Sequence, residues 1–186
     1  MSGPSGVGKT TIARRVQSAV EGVFSVSATT RSPGPGEVDG RDYHFVSSEA
    51  FDELQRNGAF LESARVFGRD GYGTLRAPVE AQLDEGKVVL LDIDVQGAAQ
   101  VRSAMPDACM LFVLPPDEST LRQRLEDRGR DAHEAIERRL AEARRELEAA
   151  RVPGLYDRFI VNDDLDEATE AALAEIRGRR TQRAAT

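Results

Sequence analysis

The chain has 186 residues, 40% of them hydrophobic and 31% charged, with a formal net charge of −7. That length suits one folding unit with room for small inserted subdomains, and the composition excludes a wholly disordered chain. No stretch reaches the roughly 18–20 apolar residues that cross a bilayer, and the net acidity argues against a general nucleic-acid or anionic-membrane surface. A single cysteine, Cys109, excludes an internal disulfide and fits a reducing, cytoplasmic setting. The two histidines, His44 and His133, lie far apart, so a zinc site of the His/Cys kind is not expected.

Short apolar strands alternate with helices along the chain, which predicts an α/β fold with a parallel sheet and helices on both faces. Residues 3–10, GPSGVGKT, satisfy the pattern G-x-x-x-x-G-K-[ST] completely. Gly3, Gly6 and Gly8 allow backbone N–H groups to turn inward onto a phosphate. The helix that opens near Lys9 points its positive dipole end at the same anion. Lys9 can reach the terminal phosphates and the Thr10 hydroxyl can ligate Mg²⁺. The candidate ATP site is therefore Gly3, Pro4, Ser5, Gly6, Val7, Gly8, Lys9, Thr10 and Thr11. The motif implies a nucleoside triphosphate without distinguishing kinase, GTPase or ATPase.

Ile12, Val16, Ala19 and Val20 share one face of the helix that follows. A strand normally precedes such a loop, yet Met1 stands two residues before Gly3. The first core strand is thus expected to be missing, its neighbours left with unpaired backbone groups, and the true start to lie upstream. Phe24 and Val26 alternate with serines in a further strand. Residues 28–86 then read as a small α+β insertion. It comprises a Gly/Pro-rich connector at 31–43, strand-like pieces at 43–46, 61–67 and 72–75, and a helix at 48–58. Residues 87–94, KVVLLDID, form a continuous apolar run ending in acids, as a buried parallel strand should. Residues 109–114 and 158–162 are two more strands, and Ile136, Leu140, Ala143 and Leu147 mark a helix. An Arg-, Asp- and Glu-rich insertion covers 117–137, and the tail RGRRTQRAAT is expected to fray. The core is then 1–27 with 87–116 and 138–186.

Asp92 and Asp94 stand at the carboxyl end of a strand, where open α/β sheets bind ligands. Alternation puts both on one face. One acid can hold the Mg²⁺ shell through water, and the other can face the acceptor.

SATTRSPGPGEVDGRDYHFV, FLESARVFG, GYGT, LLDIDVQGA and VNDD occur in that order. Together they closely resemble guanylate kinase, the nucleoside monophosphate kinase family that makes GDP from GMP and ATP. The resemblance runs from Gly3 to about Arg177. It implies a GMP-binding insertion at 28–86 and a lid at 117–137. By the same resemblance Ser27, Glu62 and Thr74 read the guanine edge, and Arg31, Tyr43 and Tyr72 bind the GMP phosphate. Asp94 lies near GMP and Asp92 near the metal. Arg124, Arg128 and Arg139 close over the transferring phosphate, and Asn162 approaches the adenine side of ATP. Lys9, Arg31, Arg124, Arg128, Arg139 and Asp92 make up the implied catalytic set. The implied partners are ATP, as phosphoryl donor with Mg²⁺, and GMP or dGMP, with no nucleic acid and no membrane.

The guanine roles have a physical basis. Guanine presents N1–H and N2–H₂ as adjacent donors, which a carboxylate such as Glu62 can accept as a pair. Adenine offers no such pair, so it would leave Glu62 charged and unmet. One departure stands out: the string is TTRSPG, with Gly34 where the family usually carries a second phosphate-binding arginine. Two other readings remain open. One is a guanylate-kinase-like module that binds partners without catalysis, although Lys9 and Thr10 are intact. The other is a P-loop kinase for a different phosphorylated acceptor.

Overall fold

The computed structural model describes residues 1–66, 70–127 and 133–184. Eight strands and seven helices follow one another in these residues: α1 (Lys9–Ala19), β1 (Val23–Phe24), β2 (Ser27–Thr29), β3 (His44–Phe45), α2 (Ser48–Arg56), β4 (Phe60–Val66), β5 (Asp70–Leu75), α3 (Arg76–Asp84), β6 (Val89–Leu90), α4 (Val95–Ala104), β7 (Leu111–Leu114), α5 (Glu118–Glu126), α6 (His133–Ala149), β8 (Arg158–Val161) and α7 (Leu165–Ala184). Two parallel pairs build the core, β1 with β6 and β7 with β8.

Residues 1–2 lie between the two pairs. The Met1 amino group donates to the Leu91 carbonyl and the Met1 carbonyl accepts from the Ile93 amide. On the other side Ser2 bridges Phe112 in parallel, exchanging hydrogen bonds with Leu111 and Val113. This corrects the expectation that the neighbouring strands would be left unpaired at this position. Two residues suffice to meet backbone groups on both sides, because each residue carries a donor and an acceptor.

Strand alternation then sorts the core into two layers. Leu111 and Val113 point to one face, against Val7, Ile12 and Val16 of the loop and α1 and against Ala172 and Leu173 of α7. Phe112 points to the other, against Val95, Ala98 and Val101 of α4 and against Tyr156. Helices α5 and α6 close a third cluster around Leu121, Leu125, Ile136 and Leu140.

A second sheet stands apart from the core pairs, with order β3-β2-β5-β4. Strand β2 is parallel to β3 and antiparallel to β5, and β5 is antiparallel to β4. Phe51 of α2 stacks on Phe60 with ring centroids 4.7 Å apart, closing a small core with Ala28. Gln100 of α4 ties this sheet to the main core through both backbone groups of Ser63, at 3.1 and 3.0 Å.

Three sequence expectations need correction. The strand read around Phe24 and Val26 is two strands: β1 pairs in the core, whereas β2 belongs to the second sheet. The run 87–94 is a ladder only at Val89–Leu90, because beyond it the neighbouring chain is Met1 rather than a long strand. The tail does not fray through residue 184: α7 runs to Ala184. Its apolar stripe Ala168, Ala172, Leu173 and Ile176 packs on the core, and Arg179 pairs with Asp157 at 2.7 Å, so tertiary burial carries the helix onward. Helix α3 was not anticipated. No described helix is long and apolar enough to cross a membrane.

Candidate active site

The loop between residues 2 and 9 turns on glycines that no other residue replaces without strain. Gly6 has φ 89° and Gly8 φ 92°. A Cβ on Gly6 would meet Leu125 at 2.8 Å, and one on Gly8 would run into the Asn162 amide. Gly8 is the N-cap of α1, with no side-chain cap and no acid in the first turn. The Thr11 amide turns back to the Gly8 carbonyl at 3.0 Å, and the amides of Lys9 and Thr10, at the very start of the helix, face outward toward an anion.

Lys9 and Thr10 both reach Asp92. Lys9 Nζ lies 2.6 Å from Asp92 Oδ1, and the Thr10 hydroxyl donates to Oδ2 at 3.3 Å. Asp94 caps α4, accepting from the Gly97 amide at 2.7 Å. Both acids face one open cleft of about 380 Å³, lined also by Gly3 to Gly6, Gly8, Lys9, Thr10 and Thr11. Glu146 of α6 enters this cleft too, a residue that sequence reasoning missed. Burial, chiefly, and then Glu142 push its carboxyl up to about 7. Nothing in the helical spacing separates it from the other acids of that helix.

The second sheet assembles another set through its register. Ser27 stands opposite Thr74, Thr29 opposite Tyr72, and Glu62 opposite Thr74. A bulge between Phe60 and Glu62 breaks the alternation that would send both to one face. Phe60 joins the apolar cluster, while Glu62 turns to Thr74, whose hydroxyl donates to its Oε1 at 2.6 Å. Glu62 is 7% exposed. Burial raises its carboxyl above the ordinary range, opposed by the Thr74 hydrogen bond. Its Oε2 sits so near α4 that a Cβ on Gly97 would approach it to 2.7 Å. Arg31 donates from Nε to the Tyr72 hydroxyl at 3.3 Å, with its guanidinium 5.4 Å from the Tyr43 ring centroid. Ser27, Glu62, Tyr72 and Thr74 thus lie on one small sheet, with Arg31 and Tyr43 beside it at the two ends of the connector.

Asn162 is placed beneath the phosphate loop. It is buried, its amide donates to the Val7 carbonyl at 2.7 Å, and its own backbone carbonyl accepts from Arg124 Nη2 at 3.0 Å. The described hydrogen bond of its side chain braces the loop. Nη1 of Arg124 is buried without a hydrogen-bond partner among the described residues. Arg139 lies half-buried on α6. Arg128 lies outside the described residues.

A phosphate loop between a parallel sheet and a helix, with an acid from a neighbouring strand beside its lysine and hydroxyl, defines a P-loop nucleotide-binding protein. The model of the family described as Guanylate kinase matches residues 1–177. The guanylate kinase of Anaeromyxobacter dehalogenans is 50% identical over 186 residues, 99% of this chain and 81% of the relative. That of Thermus thermophilus is 47% identical over 180 residues, 97% and 80% respectively. The crystal structure of guanylate kinase from Anaplasma phagocytophilum superposes with a TM-score of 0.71 at 34% identity, covering 95% of this chain and 82% of that one. The chain belongs to the guanylate kinase family.

Proposed function

We propose that the donor cleft and the small sheet together carry out phosphoryl transfer from ATP to GMP, with the residues dividing the work as follows. The enzyme is an ATP:GMP phosphotransferase, yielding ADP and GDP. The glycine loop and the open end of α1 hold the donor phosphates, and Lys9 places its charge along the transferring group. Asn162 braces that loop from below and, through Arg124, links it to α5. Glu62 receives the paired guanine donors while Thr74 and Ser27 complete the edge. Arg31, Tyr43 and Tyr72 receive the acceptor phosphate, and Asp94 faces the acceptor from the N-cap of α4. Segment 28–86 serves as the acceptor subdomain and 117–137 as the lid. Arg124, Arg128 and Arg139 neutralise the charge that spreads over the moving group.

A divalent cation accompanies ATP in this chemistry, and Mg²⁺ suits the donor set. A hydroxyl and a carboxylate, Thr10 and Asp92, already meet in the cleft, and oxygen ligands of this kind match a hard cation. Thr10 would hold it directly and Asp92 through water. When bound, it neutralises phosphate charge and orients the donor. The substrates are ATP and GMP or dGMP, and neither nucleic acid nor membrane is a partner. Soluble nucleotide substrates and a single cysteine fit a cytoplasmic setting.

The observation that carries the assignment is the buried Glu62–Thr74 pair on a sheet beside an intact phosphate loop. A coupled ADP-release assay with GMP, AMP, CMP and UMP tests it. Turnover with GMP alone is expected. Equal turnover with AMP sinks the guanine assignment, and none with any acceptor favours a non-catalytic binding module.

A further inference from the structure

Glu37 lies in the glycine- and proline-rich connector between β2 and β3. Its Oε1 accepts from Arg31 Nη2 at 2.8 Å and its Oε2 from Nη1 at 2.9 Å. The Gly34 amide donates to the same Oε2 at 2.6 Å, so the backbone fixes the carboxylate in turn. A Cβ on Gly34 would crowd that oxygen at 3.1 Å. Arg31 is further held by the Ser32 carbonyl, at 2.8 Å from Nη1, and by the Tyr43 and Phe45 rings, at 5.4 and 5.8 Å.

A guanidinium has two edges that can each grip an anion, the end edge of Nη1 with Nη2 and the side edge of Nε with Nη2. Glu37 takes the end edge. On the side edge Nε donates to the Tyr72 hydroxyl at 3.3 Å, and that hydroxyl keeps its own hydrogen to donate. The second N–H of Nη2 has no partner among the described residues. Two open donors therefore converge on one place, the second N–H of Nη2 and the Tyr72 hydroxyl, with the single Nε hydrogen already given to that hydroxyl.

We propose that Glu37 is a positioning residue for the acceptor phosphate: by occupying one edge of Arg31 it presents the other, together with the Tyr72 hydroxyl, to a phosphate monoester. This rests on the reading of Arg31 and Tyr72 as the acceptor-phosphate site. A long side chain fixed beforehand loses less freedom when the ligand arrives. The Arg31 hydrogen bonds and the Gly34 amide hold the Glu37 carboxyl below the ordinary range, so the clamp stays charged at neutral pH. The same negative charge also opposes a phosphate, and that opposition defines the contrary outcome.

The test compares equilibrium binding of GMP and of guanosine to the full chain. The ratio of the two affinities isolates the phosphate. Glu37→Gln is expected to weaken GMP by about tenfold or more, with guanosine binding and the KM for ATP unchanged. Glu37→Asp, which keeps the charge, should recover part of the loss. Unchanged or tighter GMP binding by Glu37→Gln overturns the proposal. So does an equal loss of GMP and guanosine, which would mark a purely structural connector. Arg31→Ala separates the two levels. If it collapses the ratio while Glu37→Gln does not, only the Glu37 proposal fails. If Arg31→Ala leaves the ratio intact, the phosphate-site reading fails and takes the proposal with it.

Discussion

The proposed donor and acceptor sides of this enzyme are built on opposite plans. The donor loop is contiguous: residues 3–10 supply the glycines, the lysine and the hydroxyl in one turn, and the sheet and Asn162 only hold it in place. The acceptor side is dispersed. Its proposed residues run from Ser27 to Asp94: the register of β2, β5 and β4 brings Ser27, Glu62, Tyr72 and Thr74 together, and side-chain contacts hold Arg31 beside Tyr72 and Tyr43. A site formed within one turn can be read from spacing. A site formed across strands depends on pairings between distant segments, and a one-residue slip would move every side chain to the other face.

The largest effect that would break this comparison is acceptor choice. A site made to hydrogen-bond a polar group rejects an analogue lacking it by about 10⁴–10⁵. GMP should exceed AMP in kcat/KM on that scale, and Glu62→Gln should lower the GMP value by about 10². Steady-state kinetics with both nucleotides decides it, and equal use of AMP would show that the register assembles something other than a guanine site.

On the donor side Lys9→Met should cut kcat by about 10³ or more with the fold intact, because a charge aligned with the transferring group is lost. Near-normal turnover in a variant with an unchanged circular dichroism spectrum would end the catalytic reading of the loop.

Acidity distinguishes the sides again. Glu62 must be ionised to accept two donors, and burial raises its carboxyl above 4.5. As pH falls through that raised value the carboxyl protonates and stops accepting, so kcat/KM for GMP should fall, by about tenfold per pH unit at the limit. The loss should begin above pH 4.5 and be absent in Glu62→Gln. A pH profile identical in the variant assigns the titration to another group, with Glu146, raised to about 7, the first to examine.

Asn162→Leu removes the donor to the buried Val7 carbonyl. An unmet buried acceptor costs about 1–3 kcal/mol, read as a lower urea midpoint, and the KM for ATP should rise with it. A KM for GMP that rises equally would show that the brace serves both sides. The smallest effect is at Gly34, where Gly34→Ala sets a methyl about 3.1 Å from Glu37 Oε2. The carboxylate must yield slightly, and the KM for GMP should rise about twofold.

Much was legible in the amino-acid order. The loop GPSGVGKT, the α/β alternation and the acids that end the run 87–94 all follow from local pattern, because backbone conformation and dipole at a helix start depend on adjacent residues. The guanine and phosphate residues were named only through resemblance to a family, since nothing in single strands of mixed polarity announces a partner. Tertiary structure alone decided the remainder. It set the bulge that separates Phe60 from Glu62, and it split one apparent strand between two sheets. It placed Met1 and Ser2 between the core pairs, and it gave Glu37 its grip on Arg31. It carried α7 through a tail whose composition read as frayed. In each case the deciding contact joins residues far apart in the chain or held by an irregular connector. Spacing along the sequence records neither, because side-chain partners there are chosen by packing and register rather than by local backbone preference.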